Sequence, residues 1–192
     1  MEESSLNSTI DAVLIGGSAG SLEVLFRLLP LLKPEVKPAI IIILHRKSTG
    51  DSSLVDLLIT KTILPIREAE DKDVILAGNI YLAPSDYHLL IEKNHTFSLD
   101  ASEKVNFSRP SLDVTFETAA DTFGAHAAGI ILSGANDDGT KGLIVLKKAG
   151  GIVIAQDPET AQMPLMPQQV ISNVDVDFIF DTVQMAKYIN SL

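Results

Sequence analysis

Short apolar runs alternate with amphipathic segments along most of the chain. Each run is apolar throughout, as is typical of a strand buried on both faces of a parallel sheet. The runs occupy residues 12–15, 38–44, 128–132 and 152–155. Segments with apolar residues at helical spacing occupy residues 22–32, 53–63, 139–149 and 181–192. This alternation predicts an α/β fold with three layers, in which helices cover both faces of a doubly wound, mainly parallel sheet.

The middle of the chain has a different pattern. Three short strand-like segments, residues 79–83, 87–92 and 96–99, are separated by Pro-Ser-Asp and Lys-Asn-His. Turn-forming residues between short strands favour an antiparallel meander, which we expect to be appended to the main sheet. Residues 1–10 have the composition of a polar lead-in, and no repeat or linker follows. Residues 11–192 are therefore predicted to form one catalytic domain.

The composition argues against several functional classes. The 192 residues include no cysteine, which rules out disulfides, thiolate catalysis and cysteine-ligated metals. The formal net charge of −10 would repel a phosphate backbone, so nucleic acid is not an expected partner. The longest apolar run, residues 39–44, is too short to span a bilayer, and the acidic N-terminus does not resemble a secretory signal. We therefore expect a cytoplasmic protein that does not insert into membranes.

A turn of small residues joins the first predicted strand to the first predicted helix. It has the sequence Ile-Gly-Gly-Ser-Ala-Gly-Ser over residues 15–21, with Ser18 at its centre. Glycine lets the backbone reach positive φ, and the N–H groups at the helix start face whatever lies beside Ser18. Two functions fit such a turn: a cradle for a phosphate group, or a nucleophile with an oxyanion hole. The pattern matches G-x-S-x-G, whereas the Rossmann spacing and the P-loop lysine are absent.

Three residues of the kinds that serine hydrolases require follow three different predicted strands. Ser18 follows the first, His45 directly follows Leu44, and Asp138 lies in the loop 133–139 after a third. Because the carboxyl ends of parallel strands share one edge, we expect the hydroxyl, imidazole and carboxylate to converge there. Each residue also has a structural explanation, since Ser18 and Asp138 could cap helices and His45 could be a hydrogen-bonded residue at a strand end. Their joint placement favours a Ser-His-Asp triad.

The other three histidines fit structural roles better. His88 lies within the predicted meander, where it is a candidate for the rim of the site. We expect His95, in a turn, to be exposed, and His126, before a predicted strand, to be structural. No group of histidine and carboxylate residues has the spacing of a known metal site, so the sequence predicts no metal.

Several motifs of the chain are similar to those of one protein family. The turn at residues 15–21 is similar to that family's I-G-x-S-T-G-G, and His45 ends a strand as the family's base does. Residues 81–90, 108–114 and 133–139 are similar to Y-I-A-P…H-L-L, R-P-S-x-D-x and T-G-M-G-x-D-G, and the match extends to residues 155–157 and 166–167. The chain thus resembles, over nearly its whole length, the catalytic domain of the CheB-type chemotaxis methylesterases. The alignment places Asp138, not Asp137, at the family's acid.

The resemblance implies a reaction and a role for each site residue. Glutamate γ-methyl esters on the cytoplasmic domain of a bacterial chemoreceptor would be hydrolysed to glutamate and methanol, and glutamines would be deamidated. Ser18 would be the nucleophile, His45 the base and Asp138 the residue that orients the base. The backbone N–H groups of Ala19 and Ala135 are the candidates for the oxyanion hole. No metal or organic cofactor is implied.

The chain departs from the family pattern close to these residues. Ala19 and Ser21 replace the family's Thr and second Gly after the serine, and Ala135 and Asn136 replace Met and Gly in the acid's loop. Arg46-Lys47 replaces a small residue and a proline, and these cations either attract an acidic receptor face or are solvated loop charges. The alternative function is therefore an esterase fold with weak or no catalysis that binds a receptor or a signalling partner.

The resemblance covers the catalytic domain of the family but not the domain that regulates it. Family members usually carry an N-terminal receiver domain, whereas here the catalytic pattern begins at residue 11. The expectations are that the protein is unregulated by that route, that it works with a separate response regulator, or that the sequence is a fragment.

Overall fold

Seven strands form one sheet in which every neighbouring pair is parallel. The structure is a computed structural model and describes residues 9–46 and 53–192. The strand order is β3-β4-β2-β1-β7-β8-β9. These strands are β1 (Ala12–Gly17), β2 (Ala39–Leu44), β3 (Ile66–Glu68), β4 (Ile80–Leu82), β7 (Ala127–Ile131), β8 (Ile152–Gln156) and β9 (Phe178–Phe180). A separate antiparallel pair is made by β5 (His88–Ile91) and β6 (Phe97–Asp100).

Helices cover both faces of the sheet and define two apolar cores. The helices are α1 (Ser21–Leu28), α2 (Ser53–Ile59), α3 (Leu112–Phe123), α4 (Thr140–Lys148), α5 (Leu165–Asn173) and α6 (Thr182–Asn190). Side chains from α3, α4, α5 and the β5–β6 pair form one core, and side chains from α1, α2 and α6 form the other. The strand β1 supplies both, because Leu14 belongs to the first core and Val13 and Ile15 to the second. This confirms the predicted three-layer, doubly wound class.

The predicted meander is the part of the fold that differs. The first of its three segments is β4, which pairs in parallel with β2 and with β3 inside the main sheet. Only the second and third segments, β5 and β6, are antiparallel partners. A strand of three residues has the same alternation in either direction, so its sequence could not distinguish the two pairings.

Other boundaries move by a few residues. The helix predicted over residues 22–32 is α1 followed by a 3₁₀ turn at Leu29–Leu31, and the one predicted over 53–63 ends at Ile59. The sequence analysis did not assign α3, α5, β3 or β9. Most of the predicted lead-in, residues 1–8, lies outside the described residues. Within the residues that are described, no helix has the length and apolar character needed to cross a membrane.

Close packing of α4 against α3 depends on Gly142. A Cβ atom at this position would lie 2.7 Å from the backbone oxygen of Asp113 and 2.7 Å from Cβ of Phe116. Any side chain would therefore push the two helices apart. The nearest atoms are a backbone oxygen and a Cβ atom, and neither can move without moving α3 itself. The contact holds the start of α3 beside the start of α4, which is where the candidate acid lies.

Candidate active site

Backbone hydrogen bonds join the three strand ends that carry the candidate residues. Gly17 pairs with Leu44 in the β1–β2 register, so Ser18 and His45 follow neighbouring positions on strands about 4.8 Å apart. The His45 N–H donates to the Gly17 carbonyl over 3.1 Å. On the other side of β1, the Ser18 N–H donates to the Ser133 carbonyl over 2.9 Å. The carboxyl edge of the sheet thus brings Ser18, His45 and the loop 133–139 to one place.

The turn that carries Ser18, residues 15–21, is fixed against the loop after β7. Gly20 has φ of 82°, and a Cβ atom there would lie 2.7 Å from Oγ of Ser133. Glycine is required on both counts, since a side chain would be strained by the backbone and blocked by the loop. The Ser133 hydroxyl donates to the Ala19 carbonyl over 2.7 Å, which ties the same two segments a second time. Ser18 is therefore presented on a rigid turn at the start of α1.

Asp138 is fully buried and accepts five hydrogen bonds. Its side chain has no exposed surface, and two of its donors are backbone N–H groups of the first turn of α3. A helix start with unpaired N–H groups stabilises a carboxylate, so the negative charge has a favourable place despite its burial. The donors are His45 Nε2 at 2.7 Å, Leu112 N at 2.7 Å, Asn106 Nδ2 at 2.9 Å, Ser111 Oγ at 2.9 Å and Asp113 N at 3.2 Å.

Two buried carboxylates near the site differ in their acidity. Burial raises the pKa of Asp138, but the hydrogen bonds from His45, Asn106 and Leu112 outweigh it, so the net pKa lies below the ordinary value. Burial also raises the pKa of Asp113, and the negative charge of Asp138 raises it further, against the lowering by the N–H of Gly142. Of the two carboxylates, the one with the lowered pKa, Asp138, is the one that faces His45.

The ring of His45 is held through both of its nitrogens. Nε2 lies 2.7 Å from Oδ2 of Asp138, and Nδ1 lies 3.2 Å from Nδ2 of Asn136. The side chain of His45 is 10% exposed. No hydrogen bond joins Ser18 Oγ to His45 among residues 9–46 and 53–192, so of the three candidates the structure pairs His45 with Asp138 and leaves Ser18 as their neighbour. Because Asp138 occupies Nε2, Nδ1 is the nitrogen left to act as a base.

The two oxyanion candidates lie in the two segments that the hydrogen bond from the Ser18 N–H to the Ser133 carbonyl joins. Ala19 and Ala135 are both exposed, one in the nucleophile turn and the other in the acid's loop. Within the part of the chain that the structure describes, neither backbone N–H donates a hydrogen bond. Both N–H groups are therefore without a partner among the described residues, as donors to a ligand would be.

A cleft of about 390 Å³ lies next to His45. Its lining includes Arg46, Lys104 and Arg109, and Phe107 stands at its rim. Asp86 is the one acidic residue in the part of the lining that the structure describes. Arg46 is partly engaged, because it donates to Glu68 over 2.6 Å. The cleft is nonetheless richer in cationic than in anionic side chains, in a protein whose net charge is −10. Lys47, which the sequence analysis grouped with Arg46, lies outside the described residues.

The remaining histidines are separate from the site. His88 is not a rim residue: its side chain is buried, with Nε2 bonded to the Glu103 carbonyl and Nδ1 accepting from the Ser111 N–H. His88 thus supports the segment around Ser111 that holds Asp138. The sequence of a short strand could not predict this contact. His95 is exposed, as predicted, and His126 is bonded to the Thr9 carbonyl.

The sequence analysis missed Asn106 and Ser111 as supports of the acid. Asn106 Nδ2 donates to both Asp138 and Asp113, and Ser111 Oγ donates to Asp138. Ser111 lies in the R-P-S-x-D-x motif, which was the only sign in the sequence that this segment approaches the site. Asn106 carried no such sign.

Comparison with known proteins gives consistent results along the whole chain. The sequence model of the family described as CheB methylesterase matches residues 13–189. A protein of Leptospira interrogans named for protein-glutamate methylesterase and protein-glutamine glutaminase activities is 41% identical over 177 residues, which are 92% of each chain. The crystal structure of the CheB methylesterase catalytic domain of Thermotoga maritima superposes with a TM-score of 0.90 at 32% identity, and covers 95% of this chain and 98% of that one.

The length covered differs among these relatives. The protein-glutamate methylesterase/protein-glutamine glutaminase of Thermotoga maritima is 35% identical over 170 residues, which are 87% of this chain but 49% of that protein. The chain thus spans nearly all of the Leptospira relative and about half of the Thermotoga one.

Proposed function

The chain belongs to the CheB methylesterase family, and from this premise we propose that it hydrolyses glutamate γ-methyl esters on bacterial chemoreceptors through Ser18, His45 and Asp138. Deamidation of receptor glutamines is the same reaction with ammonia in place of methanol as the leaving group. The observation that carries the proposal is the joint geometry: a buried, ionised Asp138 bonded to His45, with Ser18 on the adjacent strand end.

The first half of the reaction forms an acyl-enzyme. Ser18 Oγ attacks the ester carbonyl carbon, and its proton passes to Nδ1 of His45. Asp138 accepts the Nε2–H and stabilises the positive charge that the ring acquires. The N–H groups of Ala19 and Ala135 donate to the carbonyl oxygen as it becomes negative. The tetrahedral intermediate then expels the methoxy group, which leaves as methanol with the proton from Nδ1.

The second half regenerates the enzyme. Nδ1 of His45 takes a proton from a water molecule, and the resulting hydroxide attacks the acyl carbon. The bond to Ser18 Oγ breaks, and Oγ recovers the proton that Nδ1 holds. The products are a free Ser18 and a receptor glutamate.

The test is direct release of methanol. The protein is incubated with the cytoplasmic domain of a chemoreceptor that has been methylated beforehand, and methanol and intact receptor mass are followed with time. We expect methanol to appear and the receptor to lose methyl groups in equal number. Receptor binding without any methanol would instead support the alternative of a binding module that does not turn over substrate.

An exposed aromatic side chain beside the cleft supports a protein substrate rather than a small ester. Val105 and Ser108 exchange two backbone hydrogen bonds around a tight turn, with φ of 50° at Asn106 and 61° at Phe107. Hairpin turns of this kind favour Asn-Gly, so a phenylalanine in the glycine position is disfavoured by about 1 kcal/mol. Phe107 is nevertheless 97% exposed. A strained backbone that displays an apolar ring next to His45 favours a contact with a macromolecule.

Replacing Phe107 by glycine should separate stability from recognition. We expect the free energy of unfolding to stay unchanged or to rise by up to about 1 kcal/mol, because glycine relieves the strain at positive φ. KM for the methylated receptor should rise roughly ten-fold, since an aromatic anchor is lost, with kcat within about two-fold. Urea unfolding and receptor kinetics measure the two effects.

A control for this variant is Val183→Ala on α6, which shortens an exposed apolar side chain on the opposite face of the sheet. It should change neither KM nor kcat. Hydrolysis of a small activated ester should also be the same in wild type and Phe107→Gly. An unchanged receptor KM in the glycine variant would remove Phe107 from the recognition surface.

A further inference from the structure

The amide of Asn136 has a single orientation that fits its neighbours. Oδ1 accepts the Asp138 N–H over 3.1 Å, so the NH₂ group is the end that faces His45. Reversing the amide would place NH₂ against that N–H, donor to donor. Nδ2 thus stands 3.2 Å from Nδ1 of His45 with a hydrogen to donate and no lone pair to offer.

This orientation determines which nitrogen of His45 carries the proton. Facing a donor, Nδ1 has to be the acceptor, and the ring proton is on Nε2, where it donates to Asp138 over 2.7 Å. The lone pair of Nδ1 is the one that receives the Ser18 proton in the proposed reaction. In the structure it is already occupied by the Asn136 N–H.

We propose that Asn136 is a latch on the base: its amide covers the Nδ1 lone pair of His45 in the resting enzyme and has to swing away before Ser18 can transfer its proton. The inference rests on the proposed function, because it assigns Nδ1 as the base. Asn136 does not touch substrate in this role, so it is a positioning residue.

The surroundings of Asn136 allow such a movement. It lies between Ala135 and Asp137, both of which are exposed, and its own side chain is only half-buried. Asp138, by contrast, is held by donors from α3 and by Asn106, so the acid stays in place when the amide leaves. Once the latch is open, the ring keeps its proton on Nε2 because its bond to Asp138 is unchanged.

Asn136→Ser tests the latch with little change to the loop. A serine Oγ can still accept the Asp138 N–H in the same kind of turn, but it is too short to reach Nδ1. The probe is a small fluorophosphonate, which needs no receptor: Ser18 Oγ bonds to phosphorus, fluoride leaves, and the Ser18 proton goes to Nδ1. We expect the second-order rate of modification to rise roughly two- to ten-fold, the factor that corresponds to one net hydrogen bond.

A spectroscopic measurement distinguishes the latch from a loosened loop. In ¹⁵N spectra of the histidine rings, with His45 assigned from its absence in His45→Gln, Nε2 should carry the proton in both proteins. The Nδ1 signal should move downfield in Asn136→Ser, as expected for an imidazole nitrogen that loses a hydrogen-bond donor. Asp137→Glu, a conservative change of the exposed neighbouring residue, should alter neither the rate nor the spectrum.

The outcomes separate this inference from the proposed function. Modification that is equally fast or slower in Asn136→Ser, or an Nδ1 signal that stays in place, overturns the latch while Ser18 remains reactive. No modification of Ser18 in either protein instead contradicts the proposed triad itself.

Discussion

Replacing Ser18 by alanine is expected to lower the rate of methyl-ester hydrolysis by a factor of about 10⁴ to 10⁶. Alanine cannot form the acyl-enzyme, so only the oxyanion donors and substrate binding remain to accelerate attack by water. The fold should be unaffected, because the Ser18 N–H and carbonyl, not its hydroxyl, make the bonds to Ser133 and Ser21. Methanol release from methylated receptor measures the loss, and thermal unfolding checks the fold.

The matched control is Ser191→Ala. Among the described residues, the Ser191 hydroxyl bonds the Tyr188 carbonyl at the end of α6, far from the carboxyl edge of the sheet. This variant should hydrolyse ester at the wild-type rate and should be labelled by a fluorophosphonate like the wild type, whereas Ser18→Ala should not be labelled. Wild-type turnover in Ser18→Ala would show that another group is the nucleophile.

Asp138→Asn is expected to reduce hydrolysis about 10³- to 10⁴-fold and to destabilise the protein by about 3 kcal/mol or more. An asparagine has one acceptor oxygen where five donors now converge. Its NH₂ group would face an N–H of α3 in either orientation: that of Leu112, together with His45, in the place of Oδ2, or that of Asp113 in the place of Oδ1. If NH₂ faces His45, Nε2 becomes the acceptor and the ring proton moves to Nδ1, which can then no longer take the Ser18 proton. Methanol release and urea unfolding measure the two effects.

Asp137→Asn provides the comparison, since it makes the same change one residue earlier on an exposed side chain. It should leave both the rate and the stability near the wild-type values. If Asp137→Asn lost activity while Asp138→Asn stayed active, Asp137 and not Asp138 would be the acid of the triad.

The depressed pKa of Asp138 also predicts how stability depends on pH. Its folded pKa lies below the ordinary 3.8, so the unfolded chain binds the proton more readily. The stabilisation by the ionised form is therefore complete well above pH 3.8 and is lost as the pH falls through the lower, folded pKa. Between neutral pH and a pH below 3.8, the unfolding free energy measured by urea titration should therefore fall more in wild type than in Asp138→Asn.

The sequence predicts that the three candidate residues share one edge of the sheet because the rule behind this prediction is local. Each candidate lies in the turn or loop that follows a run apolar enough to be a buried strand, and parallel strands end on one side. The supports of the acid do not follow from any local rule. Asn106 and Asp138 are 32 positions apart, and their contact depends on how α3 packs beside α4.

The direction in which individual side chains point could not be predicted from the sequence either. His88 is the one polar residue of β5, yet its ring is buried beneath the segment that leads to Ser111. In the sequence, Asn136 is recognisable as a replacement for the family's glycine. The direction of its amide, toward His45, depends on the folded structure. Such contacts form where separate loops meet, and residue spacing within one loop does not report on them.

The order of the strands in the sheet has a consequence for biosynthesis. β1 lies between β2 and β7. Of these two neighbours, β2 is synthesised soon after β1, whereas β7 is synthesised much later. His45 and its partner Asp138 are 93 positions apart in the chain. A ribosome-bound chain that already contains both Ser18 and His45 therefore lacks the partner of the His45 ring until the stretch through Asp138 has emerged and folded back against β1. Under the proposed mechanism, hydrolytic activity would then be acquired only when this long-range contact of folding has formed.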